Sequence, residues 1–158
     1  MMKLIANRRF GPFFAVQALG ALNDNIFRNA LATLIVFGIG VEAGWDASGL
    51  VNLAALLFIL PYFLFSAVFG QLADRFEKSR MIRLIKLFEV AICLFAGVAL
   101  YMGNIVALMS VVFLLGFQST LFGPIKYSII PQLLEKHQLT GGNGLVAAGT
   151  YIAILGGT

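Results

Sequence analysis

Apolar residues fall along this chain in five long blocks, each parted from the next by a short connector rich in glycine or polar residues. A helix needs about 20 predominantly apolar residues to cross the hydrocarbon core of a bilayer. Four blocks reach that scale, at about 10–37, 50–69, 84–101 and 105–122, and a fifth opens near Asn143 and runs to the last residue, 143–158. The pattern predicts an all-α integral membrane fold with four full spans and part of a fifth. Pro61 interrupts the second block and predicts a kink there, because its ring removes a backbone hydrogen bond. Gly149, Ala153 and Gly157 recur every fourth residue in the fifth block, a seam of small side chains that favours close approach of another helix.

Composition agrees and excludes a soluble domain. The chain is 60% hydrophobic and 11% charged, with a mean hydropathy of +0.94, whereas a soluble domain is about half apolar and about a quarter charged. Phe dominates the aromatic residues and suits lipid contact, since it has no donor to satisfy. The single cysteine, Cys93, lies in an apolar run and the single histidine, His137, in a connector. Neither a disulfide framework nor a metal cluster can be built from them, so neither metal nor cofactor is expected. No cleavable signal peptide is expected either, since the first apolar stretch is long, carries charges and lacks a small-residue cleavage site.

Charge orients the spans. Lys3, Arg8 and Arg9 precede the first. Arg75, Lys78, Arg80 and Arg83 lie between the second and third, Lys86 opens the third, and Lys126 and Lys136 lie between the fourth and fifth. The connectors after the first and third spans hold no Lys or Arg, only Glu42 and Asp46. Basic residues in short loops stay cytoplasmic, which predicts a cytoplasmic N-terminus and cytoplasmic 2–3 and 4–5 connectors. Trp45, beside those two acids, is expected to anchor at the opposite interface.

One span breaks the apolar rule. "LGALNDNIFRNALATLIVF" places Asn23, Asp24, Asn25, Arg28 and Asn29 within a membrane-length helix. At about 100° per residue, Gln17, Asp24 and Arg28 share a face. Asp24 and Arg28 stand at i and i+4, with the acid first, the favourable order for an ion pair. Charge at the bilayer centre costs about 2.5–3.5 kcal/mol on insertion scales and turns toward a bundle interior or a wet cavity. Two overlapping readings stand. Asp24 and Arg28 neutralise each other while the amides tie helices together, or the cluster lines a path for a polar or zwitterionic group. Gln118, Ser119 and Thr120, late in the fourth span, divide the same way between helix–helix bonding and substrate contact. Lys126 holds a lipid phosphate or anchors its helix. Glu89, about a turn after Lys86, is a locally paired or snorkelling acid, or part of a pathway or latch.

"GQLADRFEKSR" between the second and third spans resembles the loop signature of the major facilitator superfamily, with Gly70, Leu72, Asp74 and Arg75 matching and Lys78 matching loosely. Glu77 and Ser79 depart from it. Gly70 predicts close helix approach, and Asp74 is placed near a helix start, where it would accept backbone N–H bonds. The resemblance implies that Gly70, Asp74, Arg75, Lys78 and Arg80, with Glu89 as a partner, latch the two halves of a transporter.

Four strings narrow the resemblance: "FGPFFAVQALGALNDNIFRNAL", "GQLADRFEKSRMIRLIKLFEV", "GFQSTLFGPIKYSIIPQLL" and "LTGGNGLVAAGTYIAILGGT". In order and spacing they are similar to the lysophospholipid transporter family of that superfamily. This implies import of lysophosphatidylethanolamine and lysophosphatidylglycerol across a bacterial inner membrane for re-acylation. Gln17, Asn23, Asp24, Asn25, Arg28, Asn29, Gln118 and Lys126 would form the substrate pathway. The implied partners are membrane lipids and an acyltransferase with an acyl-carrier-protein ligase, separate or fused; nucleic acid is not among them. The chain itself shows no nucleophile elbow, H-x-x-x-x-D pair or nucleotide loop, so it is not read as an enzyme. The other readings are the membrane module of such a fusion and an importer of a soluble solute. Superfamily members have two six-helix halves, so residues 1–158 read as an incomplete N-terminal half that lacks the opposite wall and is inactive alone.

Overall fold

The computed structural model describes residues 2–39 and 46–158. Glu42 and Trp45, expected in an outer connector, lie outside the described residues. The long helices are α1 (Phe10–Leu34), α2 (Ala47–Arg75), α3 (Lys78–Met102), α4 (Ile105–Ser128) and α5 (Leu139–Gly156). Short helical turns occupy Met2–Ile5, Ile130–Leu133 and Lys136–Gln138. No strand occurs among the described residues, and the chain is all-α.

Four helical stretches are long and apolar enough to cross a membrane: Ala47–Arg75, Lys78–Tyr101, Ile105–Ser128 and Lys136–Gly156. The helix α1 has 25 residues, and its polar cluster is what holds its apolarity below theirs. The second and third helices run past the apolar blocks that announced them. Residues 70–75 continue α2 and residues 78–83 begin α3, because backbone hydrogen bonding does not stop where apolar side chains do.

The helix ends follow from local chemistry. Asp46 caps α2, accepting from the Ser48 amide at 3.1 Å and its hydroxyl at 2.6 Å. Gly103 ends α3 in the left-handed region, at φ 60°, a conformation that favours glycine. Asn104 then opens α4 by accepting from the Ala107 amide at 3.1 Å. The end of α1 loosens into a wider π-helical turn over Ile35–Ile39, where Gly38 leaves helical geometry. Pro61 lies within α2 and is fully buried, and the helix runs through it.

The chain divides into two compact units, residues 30–125 and residues 1–29 with 126–158. In the first, α4 is the core helix. Over its apolar window 56% of residues are buried, against 17% for α2 and 28% for α3. Leu108, Val111, Val112 and Leu115 are sealed in, and the Phe117 ring meets Phe65 and Phe69 edge-on at 5.4 and 5.1 Å. Outward, Phe63 and Tyr101 are 82% and 94% exposed; so much uncovered apolar surface belongs in lipid or against further helices.

In the second unit, α5 packs on α1 through the small-residue seam that the sequence predicts. Gly149, Ala153 and Gly157 are all buried. A Cβ on Gly149 would stand 2.7 Å from the Phe14 ring.

Candidate functional site

The α1–α5 seam gathers the polar residues of the second unit, residues 1–29 and 126–158. Gln17 is 2% exposed. Its Nε2 donates to the Val146 carbonyl at 3.4 Å and its Oε1 accepts from Thr150 Oγ1 at 3.1 Å. Thr150 Oγ1 also lies 2.8 Å from the Val146 carbonyl and accepts from Lys126 Nζ at 3.4 Å. A hydroxyl has one proton, so Thr150 at any instant either back-bonds within α5 or bridges to α1. Lys126 stands 5.1 Å from the centre of the Tyr127 ring. Gln17 and Lys126, far apart in sequence, thus share one network.

Farther along α1, Asp24 and Asn25 are 6% and 8% exposed. Asn25 donates to the Ala21 carbonyl at 2.7 Å and accepts from Arg28 Nη2 at 2.8 Å. Asn29 donates to the Gly157 carbonyl at 2.7 Å. That carbonyl follows the last turn of α5 and has no intrahelical donor to receive, so the amide supplies one across the seam. Asn23 is half-buried beside this row. The amides Gln17 and Asn29 therefore bond helix to helix, and Asn25 orients Arg28.

Gln118 belongs to a different network, within residues 30–125. It is 2% exposed and donates to Glu89 Oε2 at 2.9 Å. The same oxygen takes Lys86 Nζ at 2.5 Å, and Lys86 stands 4.6 Å from the centre of the Phe122 ring. Glu89 is thus a locally paired acid that also links α3 to α4. Ser119 lies at the limit of bonding to Gln118, at 3.5 Å, and Thr120 back-bonds to the Gly116 carbonyl at 2.7 Å.

Two expectations for the 2–3 connector are corrected. Asp74 lies in the last turn of α2 and caps nothing; Glu77 is the N-cap of α3, accepting from Ser79 N at 3.0 Å and Arg80 N at 2.7 Å. The helix runs on through Asp74-Arg75, so the break falls at Phe76-Glu77. These two bonds, from Arg80 first, hold the Glu77 carboxyl below the usual glutamate range. Asp46 is held low likewise, first by the Ser48 hydroxyl. Among the described residues Gly70 makes no close helix contact either: a Cβ there would meet none of them within 4 Å. The close approach is at Gly116, where a Cβ would collide with the Phe58 backbone oxygen. Asp74, Arg75 and Arg80 are exposed and Lys78 half-buried, and none of the four makes an ion pair among the described residues.

Thr150 and Gly116 escape a reading of the sequence. Thr150 is one hydroxyl in an apolar run, and its only signal is its place beside Gly149 on the seam. Gly116 is one of 17 glycines, and only the helix crossing sets it apart.

No solved structure matches the chain. Among curated proteins it is 34% identical, over 107 residues, to the lysophospholipid transporter LplT of Photorhabdus laumondii, covering 65% of this chain and 24% of that protein. It is 31% identical over 146 residues to the transporters of the same name from Salmonella arizonae and Salmonella heidelberg, covering 90% of this chain and 33% and 32% of theirs. The chain thus spans about a third of the length of these Salmonella relatives. The profile of the family described as "Transmembrane secretion effector" matches residues 22–157. The chain therefore belongs to that family of the major facilitator superfamily and is homologous to these lysophospholipid transporters.

Proposed function

We propose that this chain forms part of a transporter that moves lysophosphatidylethanolamine and lysophosphatidylglycerol across a bacterial inner membrane, from the outer to the inner leaflet, for re-acylation. The observation that carries this reading is the buried polar row of α1, Gln17, Asp24 and Asn25, in a chain whose relatives are named lysophospholipid transporters. A lysophospholipid has one apolar tail, at home in lipid, and a charged head that is not. In this reading Asp24 attracts the ethanolamine ammonium, and Arg28 and Lys126 attract the phosphate through charge-assisted bonds. Gln17 and Asn29 hold α5 against α1 beside them, Asn23 extends the polar row of α1, and Gln118 offers a polar contact to the substrate from within residues 30–125. The N-terminus and the 2–3 and 4–5 connectors face the cytoplasm. There Gly70, Asp74, Arg75, Lys78 and Arg80 latch one access state, with Glu89 behind them. The remaining helices of a complete transporter and an acyltransferase with its acyl-carrier-protein ligase are the partners.

The test is inward flipping of fluorescent lysophospholipids by the reconstituted protein. Hydrogen bonds to charged groups are worth about 1.5–3 kcal/mol, so Asp24→Asn slows the ethanolamine lipid by roughly tenfold or more and the glycerol lipid less. Arg28→Gln slows both. Wild-type flipping by Asp24→Asn at matched protein amount, or equal loss for every headgroup, removes the headgroup-reading role.

A further inference from the structure

We infer that the chain carries a second anion site, apart from the α1 cluster: a cavity just before α1 that seats the phosphodiester headgroup of an anionic membrane phospholipid. The cavity measures about 450 Å³, within the roughly 300–1,000 Å³ of small-molecule pockets. Asn7, Arg8 and Arg9 line it from the segment ahead of α1, and Gln132, Glu135 and Gln138 from the connector between α4 and α5. Leu133 and Leu134 supply its apolar part.

The charges there ask for an anion. Arg8 and Arg9 are exposed, and neither makes an ion pair among the described residues. The one lining carboxylate, Glu135, faces His137 Nδ1 at 3.4 Å, and His137 is not part of the cavity wall. Two guanidiniums thus stand against one carboxylate. Helix α1 starts at Phe10, directly after Arg9, and its amino end adds partial positive charge. A guanidinium presents paired N–H donors that match two phosphate oxygens, which a point charge does not.

Both walls are held in place. Asn7 Oδ1 accepts from the Arg9 amide at 2.9 Å, and Glu135 and Gln138 form a reciprocal capping box. Gln138 uses its side-chain oxygen in that box, at 3.4 Å from Glu135 N, which leaves its NH₂ group as a donor. Leu134 is 7% exposed and seated against Gly142.

The position selects a lipid over a soluble phosphate. The step from Arg8-Arg9 to Phe10-Gly-Pro-Phe-Phe marks the point where the chain passes from charge to apolar span, the depth at which headgroups lie. The two leucines beside the guanidiniums suit the glycerol and first methylenes of a lipid and offer nothing to inorganic phosphate. None of Gln17, Asp24, Arg28 or Lys126 lines this cavity, so the site stands or falls independently of lysophospholipid transport.

The experiment is native mass spectrometry of the purified chain, released from nanodiscs that hold phosphatidylglycerol and phosphatidylethanolamine in equal amounts. Wild type retains phosphatidylglycerol preferentially. Juxtamembrane basic residues contribute about 1 kcal/mol each to anionic lipid binding, so Arg8→Gln with Arg9→Gln weakens retention by about tenfold or more. Removing equal charge outside the cavity, Arg83→Gln with Lys136→Gln, leaves it. Arg8→Lys with Arg9→Lys keeps the charge and loses the paired donors, giving an intermediate loss; it decides the matter if the Gln pair fails to fold by circular dichroism. Equal loss from both Gln pairs, no loss from the Arg8 and Arg9 pair, or release of the bound lipid by soluble glycerol 3-phosphate overturns the site.

Discussion

Gly157 meets Asn25 so closely that a Cβ on the glycine would stand 2.8 Å from the Asn25 Cβ, with Ile26 N and Leu22 O each at 3.1 Å. Two of these three neighbours are backbone atoms, which cannot rotate away. Gly149 instead faces the far end of the Phe14 ring at 2.7 Å, which can swing aside. Overpacking costs about 1–3 kcal/mol. Gly157→Val is expected in that range and Gly149→Ala below it, read as thermal unfolding in detergent. Equal melting temperatures for Gly157→Val and wild type would show that the seam does not hold α5.

Gly70, which the sequence singles out for a close helix approach, and Gly116, which it passes over, separate sharply. A Cβ on Gly116 collides with the Phe58 backbone oxygen, and one on Gly70 meets none of the described residues within 4 Å. Gly70 lies inside α2, where glycine is destabilising by about 0.5–1 kcal/mol relative to alanine. Gly70→Ala is therefore expected to raise the melting temperature and Gly116→Ala to lower it, by the equivalent of about 1–3 kcal/mol. The reverse order would place the close helix crossing at Gly70.

These pairs show what the sequence could and could not disclose. The five helices were legible because twenty-residue apolar blocks have few other uses, and the Gly149–Gly157 seam because a four-residue step keeps to one helix face. Which glycine among many takes a crossing depends on where another backbone passes, as Phe58 does at Gly116, and no local pattern records that. The break between α2 and α3 was misplaced for a related reason. Asp74 and Glu77 are both acids in a polar stretch, and only backbone geometry decides which of them caps. In the candidate site, the buried row of α1 was legible from its polarity. Its partners on and just after α5, Thr150 for Gln17 and the Gly157 carbonyl for Asn29, were not, since a hydroxyl and a carbonyl carry no signal at that distance in sequence.

The Glu77 cap makes α3 sensitive to acid. Its carboxyl is held below the ordinary value by bonds from the Arg80 and Ser79 amides. A group depressed in this way stabilises the fold above its unfolded-state pKa, and the contribution is lost as pH falls through the folded value. Amide exchange at Ser79 and Arg80, corrected for intrinsic rates, is expected to speed up as pH drops below the glutamate range. Glu77→Gln should remove that pH dependence. Persistence of the same dependence in the variant would assign it to another group.

The Lys86–Glu89–Gln118 network calls for a test by combination. Glu89 Oε2 holds Lys86 Nζ at 2.5 Å and Gln118 Nε2 at 2.9 Å, and the side chains of Lys86 and Glu89 are 20% and 11% exposed. Breaking a buried pair by removing one partner costs about 3–5 kcal/mol, because the other charge is left behind, whereas replacing both by apolar groups is often neutral. The remaining exposure lets solvent relieve part of that charge, so Glu89→Leu is expected to cost about 1–3 kcal/mol. Adding Lys86→Met should recover stability instead of losing more. Gln118 then keeps an unmet donor at 2% exposure, worth about 1–3 kcal/mol, and Gln118→Met as the third change should recover that too. Equilibrium unfolding in mixed micelles gives all four values. Additive losses along the series would mean that the three side chains stabilise α3 and α4 separately; recovery at each step means that their worth lies in satisfying one another.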